Sequence, residues 1–417
     1  MQKTLSMQFK ELPLDTSILK AITEKRYHTA TLVQQCAIPL ILNKKNVIVT
    51  AQTGTGKTAA FALPIINELL EEQNSEKGQK KIKALIVTPT RELAIQIDKN
   101  FNTYAKYTNL RTTAVFGGTS LAPQKDLLNK GIDILTATPG RLIDLYKQGS
   151  INLNFVKTIV LDEADLMLDM GFISDVKKIE ALCPPKKQTL LFSATMPEKI
   201  IELTTAIIKN PERVIISPTE TTSSNIGQLL YHLPKKNKTD LCLHLLRNMI
   251  HGRIIIFRRT KFGVDKLTQT LLKNNYKVSS IHGDKTQAIR NKAIEDFKSK
   301  KATILIATDV AARGIDIPNV DAVINFDMPN IPETYVHRIG RTGRAGKSGI
   351  SLSFCSPDEK LYIEHIEDLL QRTIKVINDH PYPLSKPKKI KKQPNTISKH
   401  KKGRKSSASK KKKKRWY

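Results

Sequence analysis

The stretch Ala51-Gln52-Thr53-Gly54-Thr55-Gly56-Lys57-Thr58 spaces two glycines, an ammonium and a hydroxyl so that they can grip a polyphosphate. Glycines let backbone N–H groups wrap phosphate oxygens, Lys57 brings a point charge to the β and γ phosphates, and Thr58 offers an oxygen suited to Mg2+. Such chemistry needs a strand before the loop and a helix after it. Asn46-Val47-Ile48-Val49 supplies the apolar run, and Thr58-Ala59-Ala60-Phe61-Ala62-Leu63 the helix-compatible segment. A glycine-rich turn alone would be a conformational feature. The whole pattern in this setting predicts a nucleoside triphosphate site at Thr53, Gly54, Thr55, Gly56, Lys57 and Thr58.

A phosphate loop of this kind needs an acidic partner at the end of a neighbouring strand. Thr158-Ile159-Val160-Leu161 delivers one and ends in Asp162-Glu163-Ala164-Asp165. Asp162 is expected to join Thr58 at Mg2+, and Glu163 to orient or deprotonate an attacking water. Arg338, Arg341 and Arg344 recur every three residues without matching acids. On a helix they would share roughly one face, and an arginine reaching across a domain boundary can hold a γ phosphate. Gly340 and Gly343 between them argue against an ordinary solvated helix. Upstream of the loop, Gln34 offers an amide that can donate to and accept from an adenine edge, and Tyr27 a ring that could stack on it.

Other apolar runs also end in polar residues or arginine. Ala84 to Thr88 leads into Pro89-Thr90-Arg91, Ile134 to Thr136 into Thr138-Pro139-Gly140-Arg141, and Phe116-Gly117-Gly118 lies between them. Continuous apolar runs read as parallel strands covered on both faces, whose carboxyl ends bind ligands. Three such ends in one domain suggest a surface that grips an extended ligand. Thr189 to Phe192 is a further strand, and the short hydroxyls of Ser193 and Thr195 after it are expected to hold neighbouring loops in register. The second half repeats the alternation through Ile254 to Phe257, Val278 to Ile281, Ile304 to Ala307 and Ala322 to Ile324, with no second phosphate loop. A helix from Lys261 to Leu272 should carry Val264, Leu267, Leu271 and Leu272 on or near one side.

At 417 residues the chain exceeds the size of a single growing core, and its 40% hydrophobic content can fill two. An α/β protein with two tandem parallel-sheet domains is expected: residues 1–213, a flexible linker at 214–227, residues 228–380, and a disordered Lys-rich tail at 381–417. Against 38 Asp and Glu stand 69 Lys and Arg, a net charge of +31, and residues 386–417 hold 16 of those cations and no acid. A field of that sign attracts a polyanion, and Trp416 and Tyr417 could stack on unpaired bases. Cys36, Cys183, Cys242 and Cys355 form neither a disulfide framework nor a zinc site and are expected to be small buried hydrophobes. There is no apolar run of 18 residues and no leader pattern, so a soluble, cytoplasmic protein with no membrane partner is expected.

In order, these motifs resemble the DEAD-box family of ATP-dependent RNA helicases, and within it the bacterial RhlE type. The family's tetrad is present as Asp162-Glu163-Ala164-Asp165. Around it, across residues 7–375, stand Ala51 to Thr58, Pro89 to Ala94, Gly117-Gly118, Thr138 to Arg141, Ser193 to Thr195, Phe257, Gln287 and Arg290, Ala307 to Asp316, and His337 to Arg344. The resemblance implies two RecA-like domains, ATP and Mg2+ as cofactors, and RNA, single-stranded or in a short duplex, as partner. It implies adenine recognition by Phe9, Tyr27 and Gln34, and ATP and Mg2+ binding by Lys57, Thr58, Asp162 and Glu163. Gly314, Asp316, Arg341 and Arg344 would close on the nucleotide from the second domain, and His337 would link that site to Asp165, Ser193 and Thr195. The RNA backbone would be held by Pro89, Thr90, Arg91, Gly118, Thr138, Arg141, Gly283, Gln287, Arg290 and Thr308.

Some residues depart from the family pattern. Arg26 stands where glycine is usual and Ala30 where proline is usual, which suggests weaker ATP binding with adenine preference retained. Arg258 and Arg259 replace smaller or neutral residues and are expected to add phosphate contacts. Family members of this type act in ribosome assembly, RNA turnover and growth in the cold, so a ribosomal or RNA-degradation ribonucleoprotein is an expected target. Two complete lobes predict a monomer. The rival readings are a DNA helicase of the same design and an ATP-gated RNA clamp or ribonucleoprotein remodelling factor with little unwinding.

Overall fold

The computed structural model of the chain describes residues 7–52, 54–73, 81–216, 226–312, 320–343 and 348–384. Thr53, Gly314, Asp316 and Arg344 fall outside the described residues, as do most of the expected linker and nearly all of the expected tail.

Short apolar segments assemble into two sheets. The first holds β1 (Val47–Thr50), β2 (Ala84–Val87), β3 (Thr112–Val115), β4 (Ile134–Ala137), β5 (Thr158–Asp162), β6 (Gln188–Ser193) and β7 (Glu212–Ile215). The second holds β8 (Ile226–His232), β9 (Ile254–Phe257), β10 (Val278–Ile281), β11 (Ile304–Ala307), β12 (Ala322–Asn325), β13 (Gly349–Cys355) and β14 (Lys375–Val376). Neighbouring strands run parallel in both. The orders are β3-β4-β2-β5-β6-β1-β7 and β10-β11-β9-β12-β13-β8-β14, one pattern used twice. The chain is therefore a pair of RecA-like α/β lobes.

Pleating sends alternate residues of a strand to opposite faces. Val47 and Val49 of β1 join Phe61, Ile66 and Phe101 in one core, while Ile48 joins Leu142, Ile179 and Leu203 in the other. With a core on each face, only the strand ends can offer polar groups to a ligand. Edge strands are another matter. β7 buries only Val214, and β14 buries neither residue, so their order comes from the hydrogen-bonded ladder rather than from an apolar face.

Two smaller expectations are corrected. Leu272 is exposed, one step beyond the face that buries Val264, Leu267 and Leu271, because each helical residue turns about 100°. Cys36 is also exposed, whereas Cys183, Cys242 and Cys355 are buried.

Candidate active site

Strand β6 lies between β1 and β5, so the carboxyl ends of these three strands stand side by side. β1 runs into the phosphate loop, where Gly54 and Gly56 take φ of 86° and 92°, values that glycine reaches without a Cβ clash. Gly56 is constrained twice, since a Cβ there would come within 2.4 Å of Gln34 Nε2. Thr55 Oγ1 donates to Gln52 O at 2.8 Å, and the helix Lys57–Gln73 starts directly from the loop. The buried Lys57 ammonium donates to Ala51 O at 3.0 Å and lies 3.3 Å from the Glu163 carboxylate. Burial opposes its charge, but Glu163, with Asp162 and Asp165 behind it, outweighs burial and holds the lysine above its ordinary pKa.

Asp162 ends β5 almost fully buried, and its Oδ1 has no hydrogen-bond partner. Burial first, and then the charge of Glu163, push its carboxyl up to about 7. This oxygen has lost water without gaining a donor, and a divalent cation would both satisfy it and restore its charge. Thr58 lines the same cavity, so the residues present fit an oxygen-liganded ion such as Mg2+. Glu163 sits next in the chain with φ 55° and ψ 53°, a left-handed backbone rarely taken by a residue with a side chain.

Asp165 is fastened from several directions. Thr195 donates to its Oδ2 through N and Oγ1, each at 3.1 Å, and the Asp165 N–H donates to Ser193 Oγ at 3.2 Å. Ser193 Oγ in turn donates to Thr195 O at 2.7 Å, the register-holding task expected of these hydroxyls. His337 of the second lobe comes within 3.7 Å of the same carboxylate. Burial raises the Asp165 pKa, but His337 and then Lys57 more than reverse this and hold it below the usual range.

Gly54, Gly56, Lys57, Thr58, Asp162 and Glu163 line a cavity of about 870 Å³, with Asp165, Ser193, Thr195 and His337 outside its lining; the volume is within the range of small-ligand sites. Phe9, Tyr27, Gln34 and Tyr104 wall its far end. The Phe9 and Tyr27 rings stack at 6.4 Å and 22°. Gln34 is buried. Its Oε1 accepts from Thr31 N at 2.8 Å and its Nε2 donates to Gly56 O at 3.1 Å, which fastens the far end to the phosphate loop. The helix Arg91–Tyr104 adds Gln96, Asn100 and Tyr104 at helical spacing, contributions that no motif had signalled. Arg341, nearly buried, brings the second lobe to this wall.

The expected RNA residues occupy equivalent strand ends in the two sheets. Gly118 follows β3, Thr138 and Arg141 follow β4, and Pro89, Thr90 and Arg91 follow β2; Gly283 follows β10 and Thr308 follows β11. Thr90 Oγ1 caps the helix Arg91–Tyr104 by accepting from Leu93 N at 3.3 Å. Gly118 has φ 73°, and a Cβ there would lie 2.2 Å from Arg91 Nη2. Arg141 donates through Nη2 to Thr119 O at 3.0 Å, while its buried Nη1 has no partner. Between the lobes, Glu92 accepts from Gln287 Nε2 at 3.0 Å and pairs with Arg290 at 2.9 Å, and Arg91 Nη1 donates to Gln287 Oε1 at 3.5 Å. Glu92 was missed in the sequence, where the only signal was an acid set directly beside Arg91.

Three readings of arginines are corrected. The helix Pro332–Ile339 ends before Arg341, so no helical face is shared with Arg338. Arg338 does have an acid: its guanidinium grips Asp309 at 2.6 and 2.8 Å and is buried. Arg258 and Arg259 are taken up by their own lobe instead of being offered to phosphate. Arg258 Nε lies 2.8 Å from Asp327, and Arg259 Nη2 donates to Met328 O at 2.8 Å and to Glu359 at 3.0 Å.

Residues 31–203 match the DEAD/DEAH box helicase family and residues 237–346 the helicase conserved C-terminal domain. The ATP-dependent RNA helicase CshA of Limosilactobacillus reuteri is 44% identical over 363 residues, 87% of this chain and 72% of the relative. The chain belongs to the DEAD-box family of ATP-dependent RNA helicases. The helicase superimposes on S. cerevisiae Dbp5 bound to RNA and ADP BeF3 with a TM-score of 0.79 at 31% identity, over 89% of this chain and 95% of that one. A DEAD box protein from the hyperthermophile Methanococcus jannaschii is 40% identical over 89% of this chain and 99% of its own, yet gives only 0.51. The more similar sequence superimposes less well. No helix among the described residues is long and apolar enough to cross a membrane.

Proposed function

We propose that this helicase locally separates short RNA duplexes by hydrolysing ATP when RNA has brought its two lobes together. Adenine sits at the end walled by Phe9, Tyr27 and Gln34, and the triphosphate lies on the loop from Thr53 to Thr58 against Lys57. Asp162 and Thr58 would hold Mg2+, which when bound neutralises phosphate charge. Glu163 orients the attacking water and takes its proton. From the second lobe, Arg341 and Arg344 reach the γ phosphate and stabilise the charge that develops there, beside Gly314 and Asp316. His337, Asp165, Ser193 and Thr195 transmit closure between the lobes.

RNA runs by its sugar-phosphate backbone along Pro89, Thr90, Arg91, Gly118, Thr138 and Arg141, then Gly283, Gln287, Arg290 and Thr308. Base sequence is therefore not read, and the 2′-hydroxyl separates RNA from DNA. The observation that carries this reading is Arg341, a second-lobe guanidinium on the wall of a first-lobe cavity. A site built that way is complete only when the lobes are closed. The linker is narrower than the expected 214–227, since β7 runs to Ile215 and β8 starts at Ile226; the segment between them joins the lobes and lets them open, and the basic tail from 381 adds sequence-independent RNA affinity. The working form is a cytoplasmic monomer acting on a ribosomal or RNA-degradation ribonucleoprotein.

Strand release from a short RNA duplex tests the proposal. Release is expected with ATP and should vanish in Glu163→Gln. Retention of RNA under hydrolysis without release would instead make the protein an ATP-gated clamp.

A further inference from the structure

The helix Thr16–Glu24 is closed by two backbone groups beyond its cap residue Lys25. Arg26 N donates to Thr23 O at 2.8 Å, and Tyr27 N donates to Ile22 O at 3.0 Å. This double closure sets the residue after the cap in the left-handed region, where glycine fits best. Arg26 holds that position at φ 59°, with the strain that a Cβ brings. Strain alone does not distinguish it. Lys44, at φ 58°, follows the helix Leu32–Leu42 in the same way, but its ammonium pairs with Glu68 at 2.5 Å. Arg26 has no carboxylate within ion-pair distance among the described residues, and its side chain lines the nucleotide cavity at the end walled by Tyr27 and Gln34.

A guanidinium is a flat, permanent cation with donors in its plane, able to lie against a purine face or donate to a ring nitrogen. The proposed grip on the phosphates is Lys57, on the glycine loop of the same cavity. We infer that Arg26 is a base-side binding residue for ATP, held at a glycine position because its side chain adds affinity there. The inference rests on the cavity being the ATP site, and it reverses the expectation that replacing glycine weakens ATP binding. Acting on the base, Arg26 is blind to a ligand that has only phosphates.

Calorimetric titration of the full chain with Mg2+ and either ATP or inorganic tripolyphosphate tests this, with a thermal melt of each variant. Arg26→Gly should weaken ATP about three- to ten-fold, the range of a modest cation–π or hydrogen-bond contact. It should leave tripolyphosphate affinity unchanged and melt no earlier than the parent, and turnover should show a raised KM with unchanged kcat. Arg26→Lys keeps a cation at the helix end but loses the flat fork, so it should also weaken ATP selectively, and it carries the test if the glycine variant melts early. ATP affinity that is unchanged or tighter in both variants would overturn the inference, as would equal loss of both ligands. Lys57→Ala should weaken both ligands. If it leaves ATP binding intact, the cavity is not the nucleotide site, and the reading of the whole site fails independently of Arg26.

Discussion

Lys57 and Lys238 occupy the same place in two copies of one topology. Each is buried and is the first residue of the α-helix that follows the equivalent strand, β1 in one lobe and β8 in the other. In the first lobe a glycine loop precedes the lysine, and its ammonium lines the open cavity beside Glu163. In the second lobe the space is sealed. Lys238 Nζ donates to Phe326 O at 2.9 Å and to Glu359 at 2.5 Å, with Asp327 at 3.8 Å, and Glu359 also takes Arg259 and the Met328 N–H at 3.1 Å. The fold readily places a buried cation after this strand. On the proposed reading, phosphate chemistry would come from the glycine loop and from the room left around the cation, whereas full ion pairing turns the same position into an internal brace.

The comparison can be broken in order of expected effect. Lys57→Ala or Glu163→Gln should lower kcat by about 10²- to 10³-fold, as for loss of one group that acts on developing charge, with a melting curve close to the parent's. Lys238→Ala should do the reverse. It leaves Glu359 and Asp327 short of a buried partner and should cost about 3–5 kcal/mol in denaturant unfolding, with loss of activity only through unfolding. If both lysines affected turnover alike with stability unchanged, the distinction between site and brace would be wrong.

A smaller effect is expected between the lobes. Glu92→Gln weakens the contacts to Arg290 and Gln287 and should reduce RNA stimulation of ATP hydrolysis about ten-fold, equivalent to one charge-assisted hydrogen bond, while the rate without RNA stays the same. The smallest concerns Asp15, whose carboxylate accepts from Ser17 N at 2.8 Å at the start of the first helix. Asp15→Ala should cost about 1 kcal/mol in denaturant unfolding and leave turnover unaltered.

What could be read from the sequence follows from where order is local. β1, β2, β4, β5 and β6 were legible because both faces are buried and the residues are continuously apolar. The meeting of the glycine loop with Asp162 and Glu163 at one cavity was legible because both follow apolar strands at short spacing. β7 and β14 were faint because edge strands bury little. The partners of Arg338 and Arg259 were invisible, since Asp309 is 29 residues away and Glu359 is 100. Arg26 was visible as a departure, but its left-handed backbone and its place on the cavity wall appear only once the helix end is built.

The most direct test of the account is steady-state ATP hydrolysis with and without single-stranded RNA, against matched DNA and with Glu163→Gln as blank. If Arg341 completes the site only on closure, RNA should stimulate turnover strongly, DNA little or not at all, and the variant should stay about 10²- to 10³-fold below the parent throughout. A high rate that ignores RNA would contradict it, because the first lobe would then be a complete catalyst without the second.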